Sequence, residues 1–243
     1  MQTLEEKKAA ALAFEARFAQ DHFARLGVTR EALYGLLQRY HQAFDTMGEV
    51  RLPAPSGGMA PPACSKGCAF CCRALIVVTA PEVFFLAEHL TRTRDEKSLV
   101  DLKRRVSDVD RVTRGEAGDA RWRRGPPCPL LGESDNACSA YAGRPLACRG
   151  LLSSSVKGCM DAFAVRASDP RFAGARPFLF QNSEVFLRAL AISLAAHGRP
   201  LYRLELNAAL VAVWSTPDPL EKWLSGVDIF ANARAPGASA PIA

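Results

Sequence analysis

No apolar run in the chain approaches the roughly 20 residues that a membrane-spanning helix needs, so no such span is expected. The opening Met-Gln-Thr-Leu-Glu-Glu-Lys-Lys has early carboxylates and no apolar segment, and it does not read as a secretory signal. A G-x-x-x-x-G-K-[ST] phosphate loop is missing, and Gly115, Gly118 and Gly125 are scattered turn glycines rather than a phosphate cradle. No internal repeat is present, which excludes a solenoid. His22 and His41 fall on helical stretches far in sequence from any cysteine, so both are left outside the candidate site. The expectation is a cytoplasmic protein, in a compartment that keeps thiols reduced.

The chain is rich in cysteine, with eight in 243 residues. Four fall within nine residues, Cys64-Ser-Lys-Gly-Cys68-Ala-Phe-Cys71-Cys72, and Cys128, Cys138, Cys148 and Cys159 follow. Thiols crowded so closely cannot all bridge one another, because a disulfide needs a suitable Cα separation and Cβ direction. They can converge on a metal, since thiolates are soft ligands preferred by zinc, copper(I) and iron–sulfur clusters. Cys71 and Cys72 point to opposite sides if the backbone is extended, so one ion takes both only at a local bend. Eight thiols permit two four-thiolate sites, or one cluster with spare cysteines. Cys159, in Lys-Gly-Cys-Met, reads equally as a semi-buried packing thiol. The formal charge of +6 counts every thiol as neutral. A zinc tetrathiolate or an oxidised four-iron cluster brings about −2, so basicity alone does not argue for nucleic acid.

The remaining pattern is mostly helical. Residues 3–26 read as a helix stopped by Gly27, and Thr29 caps a second with the stripe Leu33, Leu36, Leu37, Tyr40 and Phe44. Residues 1–50 are thus expected as a helical hairpin extension, and 51–63 as a Pro/Gly-rich connector. Residues 64–230 are expected as the cysteine-cluster metal-binding domain, with 231–243 a flexible tail. Within the domain, Ala74–Thr79 is β-prone and Thr79 caps a helix from Pro81. Another helix covers about 94–114, Ser183 caps a buried one to His197, and a further one spans roughly 205–215. Residues 115–180 lack sustained periodicity, apart from a hairpin-like pair at Cys128–Leu131 and Ala137–Tyr141. So much irregular chain implies that metal ligation replaces part of a core. The fold class is therefore mostly α, with a small irregular α+β, metal-stitched cysteine-rich region and few short strands.

The ordered set C-x3-C-x2-C-C, Glu82 in a helix after an apolar strand, Cys128-Pro-Leu-Leu, and Cys138-x2-Tyr141-x2-Arg144-Pro145-x2-Cys148-Arg149 resembles the CxxCxxCC family of zinc- or iron-chelating domains. The resemblance covers about residues 64–150. It implies metal binding by Cys64, Cys68, Cys71, Cys72, Cys128, Cys138 and Cys148. A larger relative with similar cysteines, the flagellin lysine N-methylase, is regarded as an iron–sulfur methyltransferase, but no methyl-donor site is recognisable here. Cys64-x3-Cys68-Ala-Phe70-Cys71 is also similar to the three-cysteine motif of radical S-adenosylmethionine enzymes, whose βα barrel should then follow.

Arg73, Arg144 and Arg149 border the thiols in sequence and are candidate hydrogen-bond donors to them. Arg121-Trp122-Arg123-Arg124 suits a nucleic-acid backbone, a solvated turn, or an anionic metal centre. The functional expectation is a protein that holds an iron–sulfur cluster, four-iron favoured, with zinc as the alternative. A cluster-dependent enzyme and a zinc-stabilised interaction module are the readings from other classes, with a protein or small molecule as partner.

Overall fold

The computed structural model describes residues 3–47, 52–53, 57–164 and 178–243. Parts of the expected connector, and residues 165–177 of the aperiodic stretch, lie outside the described residues. The fold is mostly α with few short strands.

Helix α1 (Leu4–Leu26) begins in a capping box: the Glu6 N–H donates to the Thr3 hydroxyl at 3.2 Å, and the Thr3 N–H donates to the Glu6 carboxylate at 2.7 Å. Its stop is Gly27, whose φ of +69° suits a residue without Cβ. Helix α2 (Arg30–Met47) buries Leu33, Leu36, Leu37, Tyr40 and Phe44, the stripe read from the sequence. Arg39 joins the two helices through a forked pair with Glu15, at 2.5 and 3.1 Å. The pair is no appendage. α1 lies along α8 (Phe178–Ala195), and the Phe186 ring of α8 stands 4.7 Å from Tyr40 and 5.4 Å from Phe44. Helix α8 starts ahead of the expected cap: Ser183 is buried at 1% exposure inside it. Its end matches expectation, at Gly198 with φ +70°.

After the short pair β1 (Leu52–Pro53) and β2 (Met59–Ala60) comes the cysteine loop, then β3 (Val77–Val78). β3 pairs antiparallel with β4 (Leu204–Glu205), Val77 opposite Glu205, and so closes the cysteine region onto the C-terminal helices. Helix α3 (Ala80–Arg92) has the expected Thr79 cap and Pro81 in its first turn. It packs with α4 (Glu96–Thr113) around α9 (Leu206–Ser215). Three short helices break the stretch expected to be irregular: α5 (Gly118–Arg124), α6 (Leu146–Gly150) and α7 (Val156–Ala164). The tight turn Tyr141–Gly143 presses on α3, and a Cβ at Gly143 would lie 2.7 Å from His89 Cδ2.

Helix α10 (Pro219–Leu224) leads into residues 231–243, and these are not the loose tail expected from their Pro, Gly, Ser and Ala content. Ala233 and Ala235 are buried, the Ala235 N–H donates to Arg203 O at 2.9 Å, and the Ile242 N–H donates to Leu201 O at 2.8 Å. Small residues let the backbone approach closely enough to make these bonds, a property that composition alone does not distinguish from disorder.

Candidate metal centre

The cysteine loop is shaped by local turns. The Cys68 N–H closes on Ser65 O at 3.0 Å, and Gly67 takes φ +88°. Cys71–Arg73 form one turn of 3₁₀-helix, so the adjacent thiols sit on a bend and not on the extended backbone that would oppose them. The neighbouring Cys72 thiol, followed by burial, raises the Cys71 pKa strongly.

Three distant cysteines are brought to this bend. The Cys128 N–H donates to Cys72 O at 2.8 Å, fixing the later segment directly against the loop. The expected hairpin is reduced to a single bridge, Leu131 opposite Cys138, braced by Ser139 N–H to Leu130 O at 2.8 Å. Its turn is narrow: a Cβ at Gly132 would lie 2.5 Å from Asp135 Oδ1. Cys148 is carried by α6, whose Leu146 N–H donates to Glu82 Oε1 at 2.9 Å. The other Glu82 oxygen accepts from the Thr79 N–H and hydroxyl, both at 2.8 Å. One buried carboxylate therefore starts two helices, α3 and α6. Cys128, Cys138 and Cys148 all pack against the hydrophobic core.

Backbone N–H groups stand near several of the sulfurs, an arrangement that favours thiolate. Ser153 donates to Cys64 Sγ at 3.2 Å. The backbone N–H groups of Phe70, Leu130 and Ala140 lie close enough to Cys68, Cys128 and Cys138 to pull their pKa values down against burial. Burial nevertheless dominates: it pushes Cys128 up to about 12 and raises Cys64, Cys68, Cys138 and Cys148. Without metal these groups keep their protons at neutral pH, and a metal must displace them.

The arginines divide. Arg144 lies within electrostatic reach of Cys71, Cys138 and Cys148, where it favours their thiolates, and it stacks over the Tyr141 ring at 3.9 Å. Arg73 donates to Gly125 O at 2.5 Å. Arg149 serves as a clamp: buried, it binds Asp45 Oδ1 and Ala142 O at 2.5 Å each and Arg144 O at 3.1 Å. Within 121–124, Arg121 is buried, while Arg123 and Arg124 are exposed. Arg121 is 2% exposed and donates to Pro126 O at 2.8 Å, Trp122 donates to Ala162 O at 3.3 Å, and Arg124 pairs with Glu116 at 2.6 Å. Glu205, which carried no sequence signal, is buried near Arg121 and Cys128. It caps α9 through the Ala208 N–H at 2.7 Å.

All eight cysteines are free of disulfide bonds. Among the described residues, no three Cys, His, Asp or Glu side chains stand in the arrangement of a closed single-ion site. The donor chemistry nonetheless fits zinc or iron: soft thiols, two of them adjacent on one bend, Cys64 held by the Ser153 N–H, and Arg144 within electrostatic reach of Cys71, Cys138 and Cys148. Residues 63–165 match the CxxCxxCC family. Its description is "Putative zinc- or iron-chelating domain". The CxxCxxCC match spans every cysteine in the chain, while α1, α2 and α8 to α10 lie outside it. No curated protein and no solved structure matches the chain. No helix among the described residues is long and apolar enough to cross a membrane.

Proposed function

We propose that the chain is an iron–sulfur protein, holding a four-iron cluster on thiolates drawn from Cys64, Cys68, Cys71, Cys72, Cys128, Cys138 and Cys148. The family match supports zinc or iron chelation. The observation that carries the finer reading is the position of Cys71. It lies within electrostatic reach of Cys64 and Cys68 and also of Cys138 and Cys148. Thiols spread around a bend in this way suit a cluster several ångströms across better than one tetrahedral ion. When bound, such a cluster supplies electron transfer or an open iron for a ligand. The chain's own part is to deliver thiolates, donate N–H bonds to them, and offset their charge with Arg144.

A cluster enzyme of the βα-barrel kind finds no support in the fold. The strands among the described residues are two residues long and pair antiparallel. Zinc is the second reading, favoured by the family description, in a domain whose metal serves folding and interaction. Protein purified without oxygen should be brown and contain iron and acid-labile sulfide, and Cys68→Ser should abolish the colour. Colourless protein with stoichiometric zinc and no sulfide would replace the iron–sulfur reading by the zinc one.

A further inference from the structure

Away from the cysteines, the connection after α8, the end of α10 and the C-terminal residues enclose a cleft of about 320 Å³. Its size falls at the lower end of the roughly 300–1,000 Å³ of small-molecule sites. Apart from Ala80, every residue lining it follows the segment that matches the family. The floor is apolar and fixed. Trp223 and Phe230 are buried there, and Phe84 of α3 backs both, with ring centroids 5.8 and 5.4 Å away. At the rim, Val227 is 50% exposed.

Two arginines line this cleft. Arg199 is held by the ends of two helices: its Nε donates to Leu224 O at 3.0 Å, its Nη2 donates to the same oxygen, and its Nη1 donates to Gly198 O at 3.1 Å. A guanidinium has five N–H groups, so one on each terminal nitrogen is left over. Among the described residues Arg199 pairs with no carboxylate. A Cβ at Gly226 would lie 4.0 Å from Arg199 Nη1, so the φ of +96° that calls for glycine also keeps a side chain off the guanidinium. Arg234 is brought by the C-terminal residues, which are anchored by the bridge between Leu204 and Arg234 and by Ala235 N–H to Arg203 O at 2.9 Å. It stands over the Tyr202 ring at 3.5 Å and pairs with Asp228 at 2.7 Å. Two guanidinium groups thus face one carboxylate, which leaves the cleft one positive charge in excess. Arg149 shows the structural alternative, since it is enclosed and paired with Asp45. Arg199 is only half-buried and opens onto a cleft.

We propose that this cleft binds a small monoanionic carboxylate with an apolar body, the carboxylate on the Arg199 guanidinium and the body against Trp223, Phe230 and Val227. The planar fork of a guanidinium matches a carboxylate, and hydrogen bonds between the two are charge-assisted. One charge in excess suits a monoanion better than a phosphate group, which carries about −1.5 to −2 at neutral pH. The apolar floor supplies contact area while the arginine fixes orientation, the division of labour usual in small-molecule sites. The C-terminal residues gain a role here besides stability, since they build one wall and hold Arg234 in it.

The test is calorimetric titration of the full chain, as purified, with benzoate, phenylacetate and hexanoate. At least one of them should bind saturably with a Kd below about 1 mM, and its neutral amide should bind about tenfold more weakly. Arg199→Gln should weaken the acid by about tenfold. Because Arg199 also fastens two helix ends, Val227→Asp supplies a variant that leaves those bonds intact and sets a negative charge at the rim. It should weaken acid binding by about tenfold, whereas Val100→Asp, the same change at a 59% exposed position outside the cleft, should not. Failure of all three acids to saturate, an amide that binds as well as its acid, or equal affinities in Val227→Asp and Val100→Asp would each overturn the proposal. Inorganic phosphate that binds as tightly as the best acid would do the same.

Discussion

Helices α3 and α7 show two ways of holding a helix in this molecule. α3 has 13 residues and buries eight of them, among them Val83, Phe84, Leu86 and Leu90. α7 has nine residues and buries none, although Val156, Met160 and Phe163 give it apolar material enough. The difference extends to their regions. The bundle of α1, α2, α3, α8 and α9 is ordered by apolar contact, whereas the segments from Cys64 to Arg73 and from Gly125 to Ala164 lean on hydrogen bonds, a buried carboxylate and cysteine thiols. On the metal-binding reading, the first part folds by its own side chains and the second is completed by its ligand.

Removing the metal should separate the two parts most sharply, because structural metal binding contributes on the order of 10 kcal/mol to folding. Chelation should raise proteolysis between Gly125 and Ala164 more than tenfold, while fragments containing α1, α2 and α8 persist. Equal protection in both states would break the comparison. In the opposite region, Leu190→Ala, at a fully buried position of α8, should cost about 2–5 kcal/mol in urea denaturation. The metal content of the variant that remains folded should not change.

Glu82→Ala tests the junction. It leaves the Thr79 and Leu146 N–H groups without an acceptor, which should cost about 2–4 kcal/mol. Unlike Leu190→Ala, it should also quicken alkylation of Cys148, because α6 loses its tether. His41 offers a smaller effect inside α2. Burial, then Arg149 and Arg144 nearby, lowers its pKa to about 3. Unfolded, it titrates near 6.5, so as pH falls below that value the unfolded chain binds a proton that the folded one refuses, and stability drops. Between pH 7 and 5 the loss at this site is about 2 kcal/mol. His41→Leu should flatten the stability profile by that amount, and an unchanged profile would remove His41 as its cause.

Local signals were legible where one short segment decides the outcome. Thr79, Pro81 and Glu82 specify the start of α3, Gly27 the end of α1, and Leu33 to Phe44 the buried face of α2. The crowding of cysteines and the family model that residues 63–165 match were legible for the same reason: the first four cysteines are nearly contiguous. What was hidden depends on partners far along the chain. Arg121 reads as a surface charge until Pro126 O and the region of Glu205 close over it. Arg149 reads as a companion of Cys148, yet its carboxylate is Asp45 on α2. The last residues read as a flexible tail because nothing within them reveals Leu201 and Arg203 as backbone partners.

The tight turn at Gly143 limits how this sequence can drift. Any side chain there meets the imidazole of His89, whose Cγ lies only 2.8 Å from the point a Cβ would occupy. Gly57, Gly58 and Gly115 meet nothing within 4 Å. In a saturation library, positions 143 and 89 should therefore vary only as a linked pair, with a smaller residue at 89 permitting alanine at 143. Substitutions at Gly58, whose backbone also imposes no positive φ, should pass through selection almost unfiltered.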